Sequence, residues 1–73
     1  MGIEIRNGKT NEVILSVATM EELKAEAQDF KRHKYTEMFK VLHYIRDAMW
    51  EGKTTKFEIG GALLGKGYNV KFD

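Results

Sequence analysis

The chain has 73 residues, with 12 basic and 11 acidic side chains, so its net charge of +1 lacks the strong positive field typical of nucleic-acid-binding proteins. It contains no cysteine and two histidines, which excludes disulfides and a Cys/His structural zinc site. A chain this short builds one domain, residues 1–73, with a small core, and we expect a homodimer to add buried surface.

The first elements read as strands. Ile3 and Ile5, and then Val13, Leu15 and Val17, alternate with polar or small residues, and Asn7-Gly8 between them is a hairpin signal. A two-residue loop would put Ile5 opposite Thr10. We therefore expect a three-residue loop, or a bulge near Lys9, that brings Ile5 and Ile3 to the side of Asn11 and Val13.

Helices follow the first hairpin. Thr19 and Glu22 form a capping-box pattern, in which the glutamate reaches back to the amide of the capping residue. Glycine and proline are then absent until Gly52. One helix over residues 20 to 51 would be about 48 Å long. We favour two helices, 20 to 33 and 36 to 51, with Thr36 as the second N-cap, although one long helix in a dimer remains an alternative.

The last third predicts a second hairpin. With Gly65-Lys66 as a type II′ turn, Leu63 faces Tyr68, Gly61 faces Val70 and Ile59 faces Phe72. This register requires a positive φ at Gly65. It also makes Gly60-Gly61 a bend within a strand.

The expected fold is therefore α+β, in the order ββααββ, with antiparallel hairpins forming a one-sided sheet that two helices cover. The expected sheet core is Ile3, Ile5, Val13, Leu15, Val17, Phe57, Ile59, Leu63, Tyr68, Val70 and Phe72. The helices should pack on it with Leu23, Ala27, Phe30, Met38, Leu42, Ile45 and Met49. The opposite, wet sheet face should carry Glu4, Arg6, Lys56, Glu58, Asn69 and Lys71.

Two sequence patterns resemble functional motifs, but neither is sufficient to predict a binding or catalytic site. Residues 60 to 66 spell G-x-x-x-x-G-K, yet Gly67 stands where a phosphate-binding loop has Ser or Thr, and no helix is predicted to follow. Asp29, His33 and Glu37 lie four residues apart, which is also the spacing of ordinary surface ion pairs. We therefore expect no metal, no cofactor and no catalytic residues, and hence a protein that is not an enzyme.

A stripe of four residues on the second helix favours protein binding. Phe39, His43, Arg46 and Trp50 lie beside the apolar stripe and widen the non-acidic arc to about 200 degrees, more than a helix on a sheet needs. Aromatic and arginine side chains are frequent interface anchors. The alternative is a core role, with Phe39 and Trp50 under a hairpin and Arg46 stacked on one of them.

A basic cluster gives the second hypothesis. Lys31, Arg32, Lys34 and Lys40 lie near the helix junction and could contact phosphates. Strand, capped helix, turn and helix also follow the layout of ribbon-helix-helix repressors, without any motif of that family. The outward residues of the strand, from Glu12 to Ala18, include no Arg, Lys or Asn, which disfavours base readout.

The sequence thus predicts a small non-enzymatic module, interaction or regulatory in role, that binds a partner protein and itself. A nucleic-acid-binding regulator is the alternative. Residues 1 to 6 lack a basic start followed by an apolar run, and no stretch reaches the roughly 18 apolar residues of a membrane helix, so we expect a cytoplasmic protein without membrane contact.

Overall fold

The computed structural model describes residues 2–72. Its elements in chain order are β1 Ile3–Asn7, β2 Val13–Val17, α1 Met20–Gln28, a 3₁₀ helix Phe30–His33, α2 Glu37–Trp50, α3 Lys56–Leu64 and β3 Tyr68–Phe72. The three strands form one antiparallel sheet in the order β2-β1-β3. The fold is therefore α+β, as predicted, but with the order ββαααβ.

The first hairpin has a longer loop than predicted. Ile3 pairs with Val17 and Ile5 with Leu15, and the irregularity lies between Leu15 and Val13 rather than near Lys9. The Asn7 side chain accepts hydrogen bonds from the amides of Lys9 and Thr10 at 2.8 and 3.1 Å, which turns the chain early. Asn11 then takes the left-handed conformation with φ 64°, a conformation that asparagine tolerates well.

Residues 20 to 50 form two α-helices and a short 3₁₀ connection, which confirms that the helical region is broken, but α1 ends at Gln28 rather than at the predicted residue 33. The Cα extents of 29 × 27 × 23 Å leave no room for a single helix of about 48 Å. The Thr19 hydroxyl accepts from the Glu22 amide at 3.1 Å, while the Glu22 carboxylate accepts from Ala18 rather than from the amide of Thr19. Thr36 is the N-cap of α2, but its hydroxyl donates to the His33 carbonyl at 2.6 Å instead of capping the helix.

The prediction of a second hairpin is wrong, because residues 56 to 64 are the helix α3. Thr55 and Glu58 make a complete capping box at its start. Gly60 and Gly61 are poor strand formers, and Ile59 and Leu63 are fully buried at helical spacing. Gly65 has a φ of −64°, so the predicted turn is absent, and Gly67, with φ 93°, redirects the chain into β3.

Because α3 replaces a strand, β3 pairs with β1 instead of with a hairpin partner. Ile3 faces Phe72, Ile5 faces Val70 and Asn7 faces Tyr68. Lys56, Phe57 and Glu58 therefore lie on a helix and belong to neither sheet face. The opposite sheet face keeps Glu4, Arg6, Asn69 and Lys71, and the Glu4 and Arg6 side chains form an ion pair of 2.6 Å there.

The core lies between the helices and one face of the sheet. Two residues of the predicted core are instead exposed, Val13 at 48% and Phe57 at 88%, since Val13 adjoins the bulge at the sheet edge and Phe57 points away from the core on α3. Met38 and Met49 are only partly buried. The buried cluster is Ile3, Ile5, Leu15, Leu23, Ala27, Phe30, Val41, Leu42, Ile45, Ile59, Leu63 and Tyr68.

Across residues 2–72, none of the helices combines the length and the apolar character needed to cross a membrane.

Candidate functional site

The four residues predicted to bind a partner lie together along one side of α2. We call Phe39, His43, Arg46 and Trp50 the Trp50 flank. Its neighbours on α2 toward the core are Leu42 and Ile45, both fully buried, so the flank begins where the apolar stripe of the helix ends. The 3₁₀ helix packs against this side of α2 through Phe30.

A stack of three side chains fixes the middle of the Trp50 flank. The guanidinium carbon of Arg46 lies 4.4 Å from the ring centroid of Phe30 and 4.2 Å from that of Trp50. Phe30 is only 6% exposed, whereas Trp50 is 76% exposed. Arg46 therefore connects an exposed tryptophan to a ring of the core, and each cation–ring contact contributes about 0.5 to 1 kcal/mol or more.

Polar contacts hold the guanidinium in the same orientation. Its Nη2 donates to Asp47 Oδ1 at 3.1 Å and lies 3.4 Å from His43 Nε2, while His43 Nδ1 lies 3.2 Å from Asp47 Oδ2. An imidazole with its proton on Nδ1 satisfies both histidine contacts at once. Arg46 Nε is buried without a hydrogen-bond partner in the described chain, so ring faces rather than hydrogen bonds stabilise that side of the guanidinium.

The structure divides this stripe into a partly buried end and an exposed end. Phe39 is partly buried and its ring lies 5.3 Å from that of Phe30, so it belongs to the edge of the core. The covering hairpin of the alternative interpretation is wrong, because Phe30 of the 3₁₀ helix contacts Phe39 instead, whereas the stacking of Arg46 on Trp50 is confirmed. Trp50 stays exposed beside a depression of about 420 Å³, lined by Gln28, Asp29, Phe30, Lys31, Arg46 and Trp50.

One residue of the predicted basic cluster, Arg32, already forms ion pairs with acidic side chains. Arg32 Nη2 contacts Glu26 Oε1 at 2.6 Å, and Nη1 lies 3.5 Å from Asp29 Oδ2. Lys34 Nζ lies 5.6 Å from the ring centroid of Tyr35, which is 94% exposed. Lys31 and Lys40 are exposed. The cluster therefore presents lysines to solvent while its arginine is already paired.

The histidine pairings differ in part from the predicted ones. His43 pairs with Asp47 four residues later, but His33 Nε2 contacts Glu26 Oε2 at 2.6 Å instead of meeting Asp29 or Glu37. The hydrogen bond from His33, together with the nearby charge of Arg32, lowers the pKa of Glu26. No group of three or more His, Cys, Asp or Glu residues that could hold a metal ion occurs between residues 2 and 72.

A second exposed apolar surface was not predicted. On α3, Phe57 and Leu64 are 88% and 64% exposed and lie on the side opposite Ile59 and Leu63. We call Phe57, Gly61 and Leu64 the outer face of α3. The T-x-x-E sequence of Thr55 to Glu58, the same pattern that marks the start of α1, is the signal that could have revealed this helix and its second face.

Comparisons of the sequence with protein families and with curated proteins, and of the fold with solved structures, give no significant match.

Proposed function

We propose that this protein is a small non-enzymatic interaction or regulatory module that binds a partner protein through the Trp50 flank. The observation that supports the proposal is an exposed Trp50 held against Arg46, which itself stacks on the buried Phe30. Tryptophan and arginine are the residues most enriched among binding hot spots. The proposal therefore rests on how Trp50 is held as well as on its exposure.

The stack also reduces the entropy cost of binding. Ordering a mobile side chain at an interface costs about 0.5 to 1.5 kcal/mol, and a ring already fixed by its neighbours avoids most of that cost. The depression beside Trp50 has an apolar wall and a polar rim that includes Gln28, Asp29 and Lys31. Such a site suits an apolar side chain of a partner protein whose flanking groups can hydrogen-bond to the rim.

Site-specific photo-cross-linking tests the proposal. A benzophenone amino acid replaces Lys31, on the rim of the depression, and in a matched control it replaces Lys71, an exposed lysine on the opposite sheet face. After irradiation in cells of the source organism, we expect a protein adduct from position 31 that is absent from position 71. Trp50→Ala in the same chain should remove the adduct.

The affinity of the isolated partner provides the quantitative part of this test. Loss of a hot-spot tryptophan costs about 2 kcal/mol or more, so Trp50→Ala should weaken binding by at least about tenfold. An adduct that forms equally at both positions, or that survives Trp50→Ala, contradicts the proposal. Circular dichroism of the variant checks that its fold is intact.

The exposed Tyr35 supports nucleic-acid binding as the second candidate function. Its ring is 94% exposed next to Lys34, with Lys31 and Lys40 nearby in sequence. An aromatic ring bordered by lysines can stack on a base and neutralise phosphates. Mobility-shift binding that falls steeply with salt and is lost in Tyr35→Asn, but kept in Trp50→Ala, would support this candidate. Absence of binding at low salt would remove it.

A further inference from the structure

α3 is apolar on two opposite sides. Ile59 and Leu63 are fully buried on its inner side, while Phe57 and Leu64 are 88% and 64% exposed on its outer face. Surface helices normally expose polar residues on the side away from the core, and a helix that is apolar all round is normally buried. The outer face of α3 is therefore expected to be covered when the protein is in its working state.

The pattern of residues on this helix is symmetric about its centre. Counted from the midpoint between Gly60 and Gly61, Phe57 and Leu64 lie at equal distances on either side, and the two glycines lie next to it. The large side chains are seven residues apart, or about 10 Å along the helix, and face nearly the same direction. A helix with this pattern matches itself when a second copy runs antiparallel to it.

Packing within the fold explains a glycine at position 60 but not at position 61. A Cβ atom at Gly60 would lie 3.4 Å from the Phe72 ring, so the packing of β3 against α3 accounts for a small residue there. A Cβ at Gly61 would meet nothing within 4 Å. Glycine within a helix costs about 1 kcal/mol relative to alanine, and contacts within the described chain do not offset that cost at Gly61.

A shallow depression of about 350 Å³ follows from these small residues. It is lined by Lys56, Phe57, Gly60, Gly61, Leu64, Asn69, Val70 and Phe72. The depression lies between two protruding side chains, so an opposing helix could approach closely at its centre. An antiparallel approach would also place the two helix dipoles in the favourable opposed arrangement.

We propose that the outer face of α3 binds a second copy of this chain, with the two α3 helices antiparallel and crossing at Gly60-Gly61. Phe57 of each copy then packs against Leu64 of the other. Such a contact is a closed twofold interface, because the same residues serve both copies. The proposal is independent of the partner-binding role of Trp50, which lies on the other side of α2.

The size of this face predicts a weak dimer. If Phe57 and Leu64 each contribute about 150 to 200 Å², the face offers roughly 300 to 400 Å² per copy, or about 600 to 800 Å² in total. Stable interfaces bury about 1,200 Å² or more. We therefore expect a monomer–dimer equilibrium in which the dimer forms only at high protein concentration.

Opposite charges placed on Phe57 and Leu64 test the antiparallel geometry. Phe57→Glu puts an acid at the N-terminal end of α3 and Leu64→Lys puts a base at the C-terminal end, so both suit the helix dipole. In sedimentation up to about 1 mM, the wild type should show dimers while each single variant stays monomeric. An equimolar mixture of the two variants should recover dimers, because the introduced glutamate then faces the introduced lysine.

Two controls accompany this test. Both substituted side chains are mostly exposed, so far-ultraviolet circular dichroism should match the wild type. Lys71→Glu, on the outer sheet face, changes the charge without affecting α3 and should leave the dimer intact. A monomeric wild type at about 1 mM, a mixture that stays monomeric, or a dimer that only Trp50→Ala disrupts would each overturn the proposal.

Discussion

Trp50 and Phe57 are both aromatic and mostly exposed, but the contacts that hold their rings differ. Trp50 stacks on Arg46, which stacks on the buried Phe30, so this exposed ring has a chain of support that leads into the core. Phe57 is 88% exposed at the start of α3, so nearly all of its ring lies in solvent. Exposure alone therefore does not distinguish a ring that its own chain holds in place from a ring that lies almost entirely in solvent.

The two rings also differ in their surroundings. The depression beside Trp50 has polar and charged residues on its rim, which suits a specific partner whose polar groups can be matched. The outer face of α3 instead has Phe57 and Leu64 at either end and glycine between them, which suits a copy of itself. Substitutions that affect one surface and leave the other unchanged test this distinction.

The largest difference in the free energy of unfolding is expected between alanine substitutions of Phe30 and of Phe57. Phe30→Ala removes the 6% exposed ring beneath Arg46 and should cost about 3 to 5 kcal/mol of the free energy of unfolding, much of the stability of a small domain. Phe57→Ala should change it by less than about 0.5 kcal/mol, since its ring is already in solvent. Urea unfolding followed by circular dichroism at low micromolar concentration measures both values. Equal losses would show that the two rings are not supported differently.

Arg46 should control the motion of Trp50. Arg46→Ala removes both ring contacts and should cost about 1 to 2 kcal/mol, while Arg46→Lys keeps the charge but loses the planar stack. Trp50 is the only tryptophan, so time-resolved fluorescence anisotropy reports on this side chain alone. We expect faster local motion in both variants. Unchanged anisotropy in Arg46→Ala would mean that the stack does not hold the ring.

Gly61 should be replaceable in the monomer. Gly61→Ala adds a Cβ that meets nothing within 4 Å and should raise the free energy of unfolding by about 0.5 to 1 kcal/mol at concentrations where the chain is monomeric. Gly67→Ala is the matched control, because its φ of 93° is strained for alanine and stability should fall. Stability that falls in Gly61→Ala would show that the fold itself requires this glycine.

The fold of residues 2 to 50 could be predicted largely because its local signals agree. The capping pattern at Thr19, the alternation of Ile3 and Ile5, and the helical spacing of Leu42 and Ile45 each indicate the structure that forms. The detailed register of the hairpin could not be predicted, because the Asn7 side chain and the left-handed Asn11 determine the loop.

Residues 56 to 64 could not be assigned from alternation because their pattern fits both elements. Phe57, Ile59 and Leu63 occupy alternate positions, as in a strand, but Ile59 and Leu63 are also four apart, as on a helix. The capping box of Thr55 and Glu58 marks the start of a helix and so distinguishes the two elements. The Trp50 flank could be located from spacing alone, whereas its support by Phe30 depends on where the 3₁₀ helix packs.

A small, pH-dependent effect is expected at Glu26, which binds Arg32 and His33 and so ties the 3₁₀ helix that carries Phe30 to α1. The hydrogen bond from His33 and the charge of Arg32 lower the pKa of Glu26 below its usual value, so folding favours the ionised carboxylate. This stabilisation is fully present above the unfolded pKa of about 4.5 and is lost as the pH falls through the lower folded value.

Glu26→Gln should therefore destabilise the protein by about 0.5 to 1 kcal/mol at pH 7, and the difference from wild type should shrink at about pH 3. Glu21→Gln removes an exposed carboxylate elsewhere on the same helix and serves as the matched control. If Glu26→Gln lowers the free energy of unfolding equally at both pH values, the ion pairs of Glu26 do not stabilise this side of the molecule.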